Sequence, residues 1–231
     1  KGFPFVIVDR NDKMEEGDLK ELRYKEIENN KEINAYLKKG DANLGQLGFT
    51  DHSEAHCVQV AHQAGKILKR FGYSEHDIEL VKIAGYMHDI GNAINRTHHA
   101  EYGALLANDL LKDTDMSLED RITVISAIGN HDESTGSPED VISAALIIAD
   151  KTDVRRSRVR QKEKSAFDIH DRVNYAVTDS KLKIAEDKSA IALNLQIDEK
   201  ICSMYDYFEI FLGRMMLCRK VCRNFGNKPL S

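Results

Sequence analysis

The stretch Ala84-Gly85-Tyr86-Met87-His88-Asp89-Ile90-Gly91 decides how the rest of this sequence is interpreted. Val81 and Ala84 lie on the same helical face as His88, and Gly91 ends the helical pattern. A histidine and a carboxylate at a core-facing helix end need partners, because unpaired polar groups are costly to bury. A divalent metal ion would satisfy both side chains, so the stretch predicts a metal site at the end of an apolar helix.

The dipeptide His-Asp is uninformative by itself, because it occurs four times in the chain. The pair His88-Asp89 is distinguished by its position at the end of an apolar helix. The other three pairs are His76-Asp77, His131-Asp132 and His170-Asp171.

Two further helical patterns place similar groups on an inward face. His56 shares its face with Val60 and Ala64, and Asp150 ends the most apolar stretch of the chain, beside Ile147. A single buried histidine is usually only hydrogen-bonded, but three helices that converge with imidazoles and carboxylates predict a metal centre. Mixed ligands of this kind suit Mn, Fe, Ni, Co or Zn better than Ca.

The helical patterns around these groups predict a mainly α fold with a core of about five helices. A short strand at residues 3–8, a charged helix at 19–38 and a loop at 40–50 are expected to precede the core. The expected helix starts lie at Asp51 or Ser53, Ser74, Thr97, Ser117 and Ser137-Pro138, with Gly72 ending the first core helix.

A small antiparallel sheet and a last helix are expected to form a C-terminal appendage. Alternation at Val173, Tyr175 and Val177, and again over residues 191–197, predicts strands, with residues 181–184 contributing. The last helix carries a stripe made of Met204, Phe208, Phe211 and Met215. We divide the chain into a lead segment (1–43), a helical metal-binding domain (44–165) and the appendage (166–231).

Composition restricts the function classes. The net charge of −5 argues against wholesale nucleic-acid binding, and the apolar runs are far too short for a membrane span. Lys1–Asp9 lacks a signal-peptide pattern, and the four cysteines form no disulfide framework, so we expect a cytoplasmic protein. The Met/Phe stripe is more typical of a core than of an interface, although a homodimer that packs through it stays open.

The chain resembles the HD superfamily of metal-dependent phosphohydrolases over residues 52–160. The resemblance rests on His56-x-x-x-Val60, Gly72, the stretch at 84–91, and Ile148-Ala149-Asp150-Lys151, which are similar to the family's H…HD…D signature. It implies that one metal ion is bound by His56, His88, Asp89 and Asp150, with Asp89 acting in catalysis. His52 competes with His56 for the first position.

Some branches of this superfamily add two histidines that complete a second metal site. His99, four residues before Gly103, and His131, three residues after Ile128, resemble those histidines. His98 competes with His99. The resemblance therefore implies one or two divalent transition-metal ions, with Mg as a further option, and two ions would activate water for attack on a phosphoryl group. The alternative is that the extra histidines are polar groups around a single metal.

The resemblance implies hydrolysis of a phosphate ester of a nucleotide or small phosphorylated metabolite. Asn92 occupies the position where several phosphodiesterase branches carry a substrate-binding lysine, which weakens any transfer of cyclic-dinucleotide activity. Lys151 is expected to supply a positive charge to substrate and catalysis instead. Arg155 and Arg156 are candidate phosphate-binding residues, since arginine matches phosphate geometry; a solvated basic face explains them equally well.

Two other functions stay open. HD-fold proteins include di-iron oxygenases, and a ferrous-dependent O₂ uptake without phosphate release would indicate one. A non-catalytic sensing module, in which the metal only stabilises the fold, is the second alternative.

Overall fold

The computed structural model describes residues 23–138, 140–161, 167 and 169–226, and helices dominate it, as the sequence predicts. The expected strand at residues 3–8 lies outside the described residues. The elements, after a helical stretch at residues 23–28, are α1 (Lys31–Gln46), α2 (Glu54–Phe71), α3 (Glu75–Met87), α4 (His99–Leu111), α5 (Leu118–Gly129), α6 (Val141–Lys151), α7 (Ile169–Ala176), β1 (Val177–Ile184), β2 (Ile191–Ile197) and α8 (Met204–Val221).

Local capping explains where the core helices begin and end. The Ser74 side chain accepts from the amide of Asp77, whose carboxylate accepts from the Ser74 amide, a complete capping box at the start of α3. Ser117 likewise caps α5. Gly72 ends α2 with φ of 82°, a left-handed conformation that glycine adopts without a Cβ penalty.

Two predicted helix starts are wrong by a few residues. Helix α4 starts after His98 rather than Thr97, and His98 has a left-handed φ of 61°. Helix α6 starts after Asp140 rather than Ser137-Pro138, because the Asp140 side chain accepts from the amide of Ser143.

The core forms where α6 packs against both α2 and α3, which also pack on each other. Residues 142–149 of α6 are all buried, as the apolar run predicts. Gly85 lies where α3 crosses α2, and a Cβ there would approach Ala61 Cα to 2.8 Å. This close crossing brings the start of α2 and the end of α3 near the end of α6. Polar side chains from three helix termini therefore share one interior region.

The predicted loop at residues 40–50 is wrong, because α1 continues to Gln46. Asn30 caps this helix, and the inward positions Leu37, Gly40 and Leu44 are buried. The Asn43 amide donates to the carbonyls at positions 92 and 93, so α1 supports the segment that follows His88-Asp89. Helix α1 also runs across the predicted domain boundary at 43/44; the division into domains stays a prediction.

The C-terminal appendage differs from the expectation at its start. Val173 and Tyr175 belong to helix α7 rather than to a strand, because Val173 and Ala176 bury one helical face. Strands β1 and β2 form an antiparallel hairpin that pairs Leu182 with Leu193, with an irregularity after Val177. The predicted contribution of residues 181–184 is confirmed.

Helix α8 buries only part of the predicted stripe, namely Phe211, with Met215 partly buried against the same cluster. Tyr207, Phe211, Leu217 and Val221 are buried, whereas Met204 and Phe208 are 41% and 48% exposed. In the described part of the chain, the helices are too short or too polar to cross a bilayer.

Gly91 is a site where a methyl group should be harmful. A Cβ there would overlap the His99 carbonyl and the Gly103 amide of α4. We expect Gly91→Ala to lower the free energy of unfolding by about 1–3 kcal/mol or more. Gly213→Ala is the matched control: its Cβ would meet no described atom within 4 Å, so we expect about 0.5–1 kcal/mol of stabilisation. Urea unfolding followed by circular dichroism measures both, and equal stabilities would contradict this packing.

Candidate metal centre

Four predicted metal ligands converge from three helices. His56 comes from the first turns of α2, His88 and Asp89 from the end of α3, and Asp150 from the last turn of α6. His56 Nε2 lies 3.3 Å from Asp150 Oδ1, and His88 Nε2 lies 3.2 Å from Asp89 Oδ2. The other two histidine–carboxylate distances are also short. They are 3.9 Å from His56 Nε2 to Asp89 Oδ2 and 3.7 Å from His88 Nε2 to Asp150 Oδ1.

Three atoms that face one another in this group have no hydrogen-bond donor among the described residues. His56 Nδ1 lies 2.7 Å from Asp153 Oδ2, and His88 Nδ1 lies 2.8 Å from the Gly85 carbonyl oxygen. Both partners accept, so in the neutral form of either ring the proton is on Nδ1 and a lone pair is presented at Nε2. These two Nε2 atoms and Asp89 Oδ2 are buried without a hydrogen-bond partner among the described residues. Converging buried lone pairs fit a divalent cation.

A second pair of histidines also faces inward through Nε2, and here Arg96 donates to His99 Nε2 at 3.3 Å. His99 Nε2 lies 3.2 Å from His131 Nε2. Their Nδ1 atoms lie 3.1 Å and 2.6 Å from the carbonyl oxygens of Arg96 and Ile128. Both Nε2 atoms of the neutral rings are therefore acceptors, so they cannot bond to each other but can face a cation. His131 also lies in a group with His88 and Asp89 whose ligand atoms are within 4.8 Å of one another.

Asp89 lies between the two groups. Its Oδ2 faces His56 and His88, whereas its Oδ1 lies 3.7 Å from His99 Nε2. The amide of Asn92 donates to Oδ1 at 2.7 Å and to the Asp89 carbonyl at 3.0 Å, which fixes the carboxylate. One carboxylate therefore presents an oxygen to each group, an arrangement suited to bridging two ions.

The surroundings set the protonation states that metal binding requires. Burial would raise the pKa of Asp89, but His88 and His52 outweigh it and hold that pKa well below its usual range. Burial would also raise the pKa of Asp150, but Lys151 and His56 outweigh it and hold that pKa well below its usual range. Burial, with His88 and His99 nearby, lowers the pKa of His131 to about 3. At neutral pH the carboxylates are therefore ionised and His131 is neutral, as ligands must be. For His88, burial lowers the pKa but Asp89 and Asp150 outweigh it and raise it, so metal binding there competes with a proton.

The structure places the competing histidines outside these groups. His98 is 57% exposed in its side chain and lies 3.5 Å from Glu101, so His99 is the histidine that faces inward. His52 Nδ1 lies 2.7 Å from the Thr50 carbonyl oxygen, and its ring centroid is 5.5 Å from that of His56. His52 therefore neighbours the first group without belonging to a described cluster of ligand atoms.

Lys151 adjoins the first group. Its ammonium lies 2.9 Å from Asp150 Oδ2 and 2.7 Å from Glu133 Oε2, in a buried position. Burial opposes its charge, but Asp150 and Glu133 outweigh burial and raise the pKa of Lys151. Its role toward a substrate stays a prediction.

The other predicted substrate-binding residues have partners within the protein. Asn92 is buried behind Asp89. Arg155 donates to both oxygens of Asp153 at 2.5 Å and 2.9 Å. The guanidinium carbon of Arg156 lies 4.4 Å from the ring centroid of Tyr175. Their roles toward a phosphate stay predictions.

Two residues of the site were not singled out from the sequence. Asp153 orients His56 and is itself held by Arg155 and by Arg158, which donates to the Asp153 carbonyl at 2.7 Å. Arg96 donates to Asn92 Oδ1 at 3.4 Å and to His99 Nε2 at 3.3 Å. The only sequence signal for either is proximity, since Asp153 follows Asp150 by three residues and Arg96 precedes His99 by three.

Comparisons with known proteins relate the chain to one family. The family model described as HD domain matches residues 54–158. The chain is 28% identical to an uncharacterized protein of Methanocaldococcus jannaschii, over 83% of this chain and 81% of that protein. It is 30% identical to ribonuclease Y of Bacillus pumilus over 52% of this chain, and 31% identical to ribonuclease Y 1 of Pediococcus pentosaceus over 55%. These matches span only 22% and 23% of the two ribonucleases. No solved structure matches the chain.

Asp153 provides a test of how the first group is oriented. We expect Asp153→Asn to lower affinity for Mn²⁺ or Zn²⁺ about 10–100-fold, because a neutral amide holds the His56 ring less firmly. Calorimetric titration of chelator-treated protein measures this affinity. Asp120→Asn is the matched control, since Asp120 makes an equally short 2.7 Å contact with His76 away from the site. Unchanged affinity in Asp153→Asn would contradict the orienting role.

Proposed function

The chain belongs to the HD superfamily of metal-dependent phosphohydrolases through the HD domain of residues 54–158, and we propose that it hydrolyses a phosphate ester of a nucleotide or similar small phosphorylated metabolite. One observation carries the proposal: the buried, donor-free lone pairs of His56, His88 and Asp89. Burying these acceptors without a partner costs free energy, and a bound cation would remove that cost.

We assign two ions to the centre. His56, His88, Asp89 and Asp150 would hold one, and Asp89, His99 and His131 would contribute to holding the other. Mixed imidazole and carboxylate ligands favour Mn, Fe, Ni, Co or Zn, with Mg as a further option. When bound, such ions lower the pKa of water and neutralise charge on phosphoryl oxygens.

The chain's own residues orient this chemistry. Asn92 holds the Asp89 carboxylate, and Asp153 holds the His56 ring. Lys151 offsets the negative charge of Asp150 and Glu133, which favours the approach of an anionic substrate. Asp89 is therefore the central catalytic residue of the proposal, and Lys151 acts as a nearby cation.

Arg96 is the phosphate-binding residue that the geometry supports best. It lines a cavity of about 240 Å³ together with His99, Asp132 and Ser134, directly beside the second group. It has no carboxylate partner in the part of the chain that the structure describes. Its described polar contacts are long ones, to Asn92 Oδ1 at 3.4 Å and His99 Nε2 at 3.3 Å, so its charge is not neutralised and is suited to bind a phosphoryl group.

The small cavity favours a small substrate, but the ribonuclease Y relatives favour a second candidate, an RNA phosphodiester. A screen of phosphomonoesters, nucleotides and short RNA with added Mn²⁺, Fe²⁺ and Zn²⁺ separates the two. Ferrous-dependent O₂ uptake without phosphate release would favour an oxygenase instead. Absence of hydrolysis across the panel would favour a sensing module.

A homodimer, a cytoplasmic location and the exclusion of nucleic acid remain predictions from the sequence.

His98 and His99 form a matched pair for testing the second ion. We expect His99→Ala to lose one of two bound ions and to lower hydrolysis about 100-fold or more, because a ligand is removed. His98→Ala should keep both ions, since His98 faces away from the candidate ligands. Elemental analysis and phosphate release measure the outcomes. Equal metal content in both variants would contradict the two-ion assignment.

Arg96 provides a test of substrate binding. We expect Arg96→Gln to raise KM about 10–100-fold, which corresponds to the loss of one charge-assisted hydrogen bond. Metal content should not change. Arg70→Gln, at an exposed arginine at the end of α2, is the control and should leave KM unaltered. An unchanged KM in Arg96→Gln would exclude Arg96 as the phosphate contact.

A further inference from the structure

A second, larger cavity of about 620 Å³ lies between the end of α6, the β1–β2 hairpin and α8. Its volume is within the range of small-molecule sites. Leu182, Leu193 and Leu195 line it from the hairpin, and Phe211 and Met215 line it from α8. None of the six candidate metal ligands lines it, so it is separate from the metal centre.

The cavity extends along α8. Its lining residues on this side run from Tyr207 of α8 to Cys222, which directly follows the helix, a distance of about 22 Å at 1.5 Å per residue. The rings of Tyr207 and Phe211 stack at 4.6 Å toward one end, and those of Phe71 and Phe225 stack at 4.5 Å toward the other. A volume of 620 Å³ spread over this length suits an extended chain better than a compact ring system.

The thiols in this wall behave as apolar groups. Burial, with Cys222 nearby, raises the pKa of Cys218 to about 12. Burial also raises the pKa of Cys222. Both thiols are therefore uncharged at neutral pH and add to the apolar lining.

The charged residues around the cavity are all of one sign. Among its described lining residues there are five cations and no carboxylate, although the whole chain has a net charge of −5. The five are Lys151, Lys188, Arg214, Arg219 and Arg223.

Two of these cations are available to a ligand. Arg214 and Lys151 both pair with Glu133, and Lys188 donates to the Phe71 carbonyl. Arg219 and Arg223 are exposed and make no ion pair within the described part of the chain. An apolar channel with unpaired guanidinium groups at its rim is complementary to a molecule with a long apolar body and an anionic group.

We propose that this cavity binds a single-chain amphipathic anion, such as a long-chain alkyl phosphate or carboxylate, with its chain along α8 and its anionic group at Arg219 and Arg223. The ligand enters as a free monomer rather than as part of a bilayer. The proposal does not rest on the phosphohydrolase activity.

Calorimetric titration with dodecyl phosphate, below its critical micelle concentration, tests this site. EDTA is present throughout, and the His88→Ala variant is titrated in parallel, so that the metal centre does not contribute. We expect saturable binding of one molecule per chain in both proteins. Ethyl phosphate, which lacks the chain, and dodecyltrimethylammonium, which carries the opposite charge, should bind at least about 10-fold more weakly.

Charge reversal identifies the anion contacts. We expect the double variant Arg219→Glu, Arg223→Glu to weaken dodecyl phosphate binding at least about 10-fold. Lys220→Glu is the matched control, because Lys220 is exposed on the same helix but does not line the cavity. We expect this variant to bind dodecyl phosphate as tightly as the parent protein does. Leu193→Trp should block binding by filling the channel, with circular dichroism used to verify folding. If Leu193→Trp fails to fold, the arginine variants decide.

Three results would overturn the proposal. They are absence of saturable dodecyl phosphate binding, equal affinity for the cationic amphiphile, and equal losses in the double variant and Lys220→Glu. Co-sedimentation with anionic phospholipid vesicles in place of monomer binding would also overturn it, since that result assigns the basic rim to a membrane surface.

Discussion

The structure depends on one electrostatic constraint, the convergence of buried lone pairs from α2, α3 and α6. His56 and His88 each bond outward through Nδ1, so their Nε2 atoms face carboxylate oxygens and have no donor of their own among the described residues. Helix packing alone would not favour this arrangement, because each unpaired buried acceptor is costly. A bound cation would offset the cost, which would couple fold stability to metal binding at this point.

The rest of the molecule holds this point in place. Gly85 lets α3 approach α2 closely, and Gly91 lets the loop after His88-Asp89 contact α4. Helix α1 bonds to the same loop through Asn43. Each contact acts on backbone near a candidate ligand, so the ligands are positioned by packed elements rather than by mobile loops.

The appendage connects to the centre through charge. Arg214 of α8 lies 3.6 Å from Glu133, Glu133 contacts Lys151, and Lys151 contacts Asp150. Arg214 and Lys151 also line the large cavity beside α8. A chain of ion pairs therefore links that cavity to a candidate metal ligand, although none of the metal ligands enters it. In an HD domain this gives the C-terminal elements a direct electrostatic connection to the site.

The sequence by itself determined the groups that depend on helical periodicity. His56, His88 and Asp150 share faces with apolar neighbours, and a helix that buries such a face must bring its polar members inward. Tertiary structure alone decided the choice of His99 over His98, because a left-handed turn at His98 rotates the start of α4. It also decided the partner of His56, since Asp153 lies 97 residues away. The helical state of Val173 and Tyr175 was likewise decided by packing, because a short apolar alternation fits both helix and strand until burial selects one.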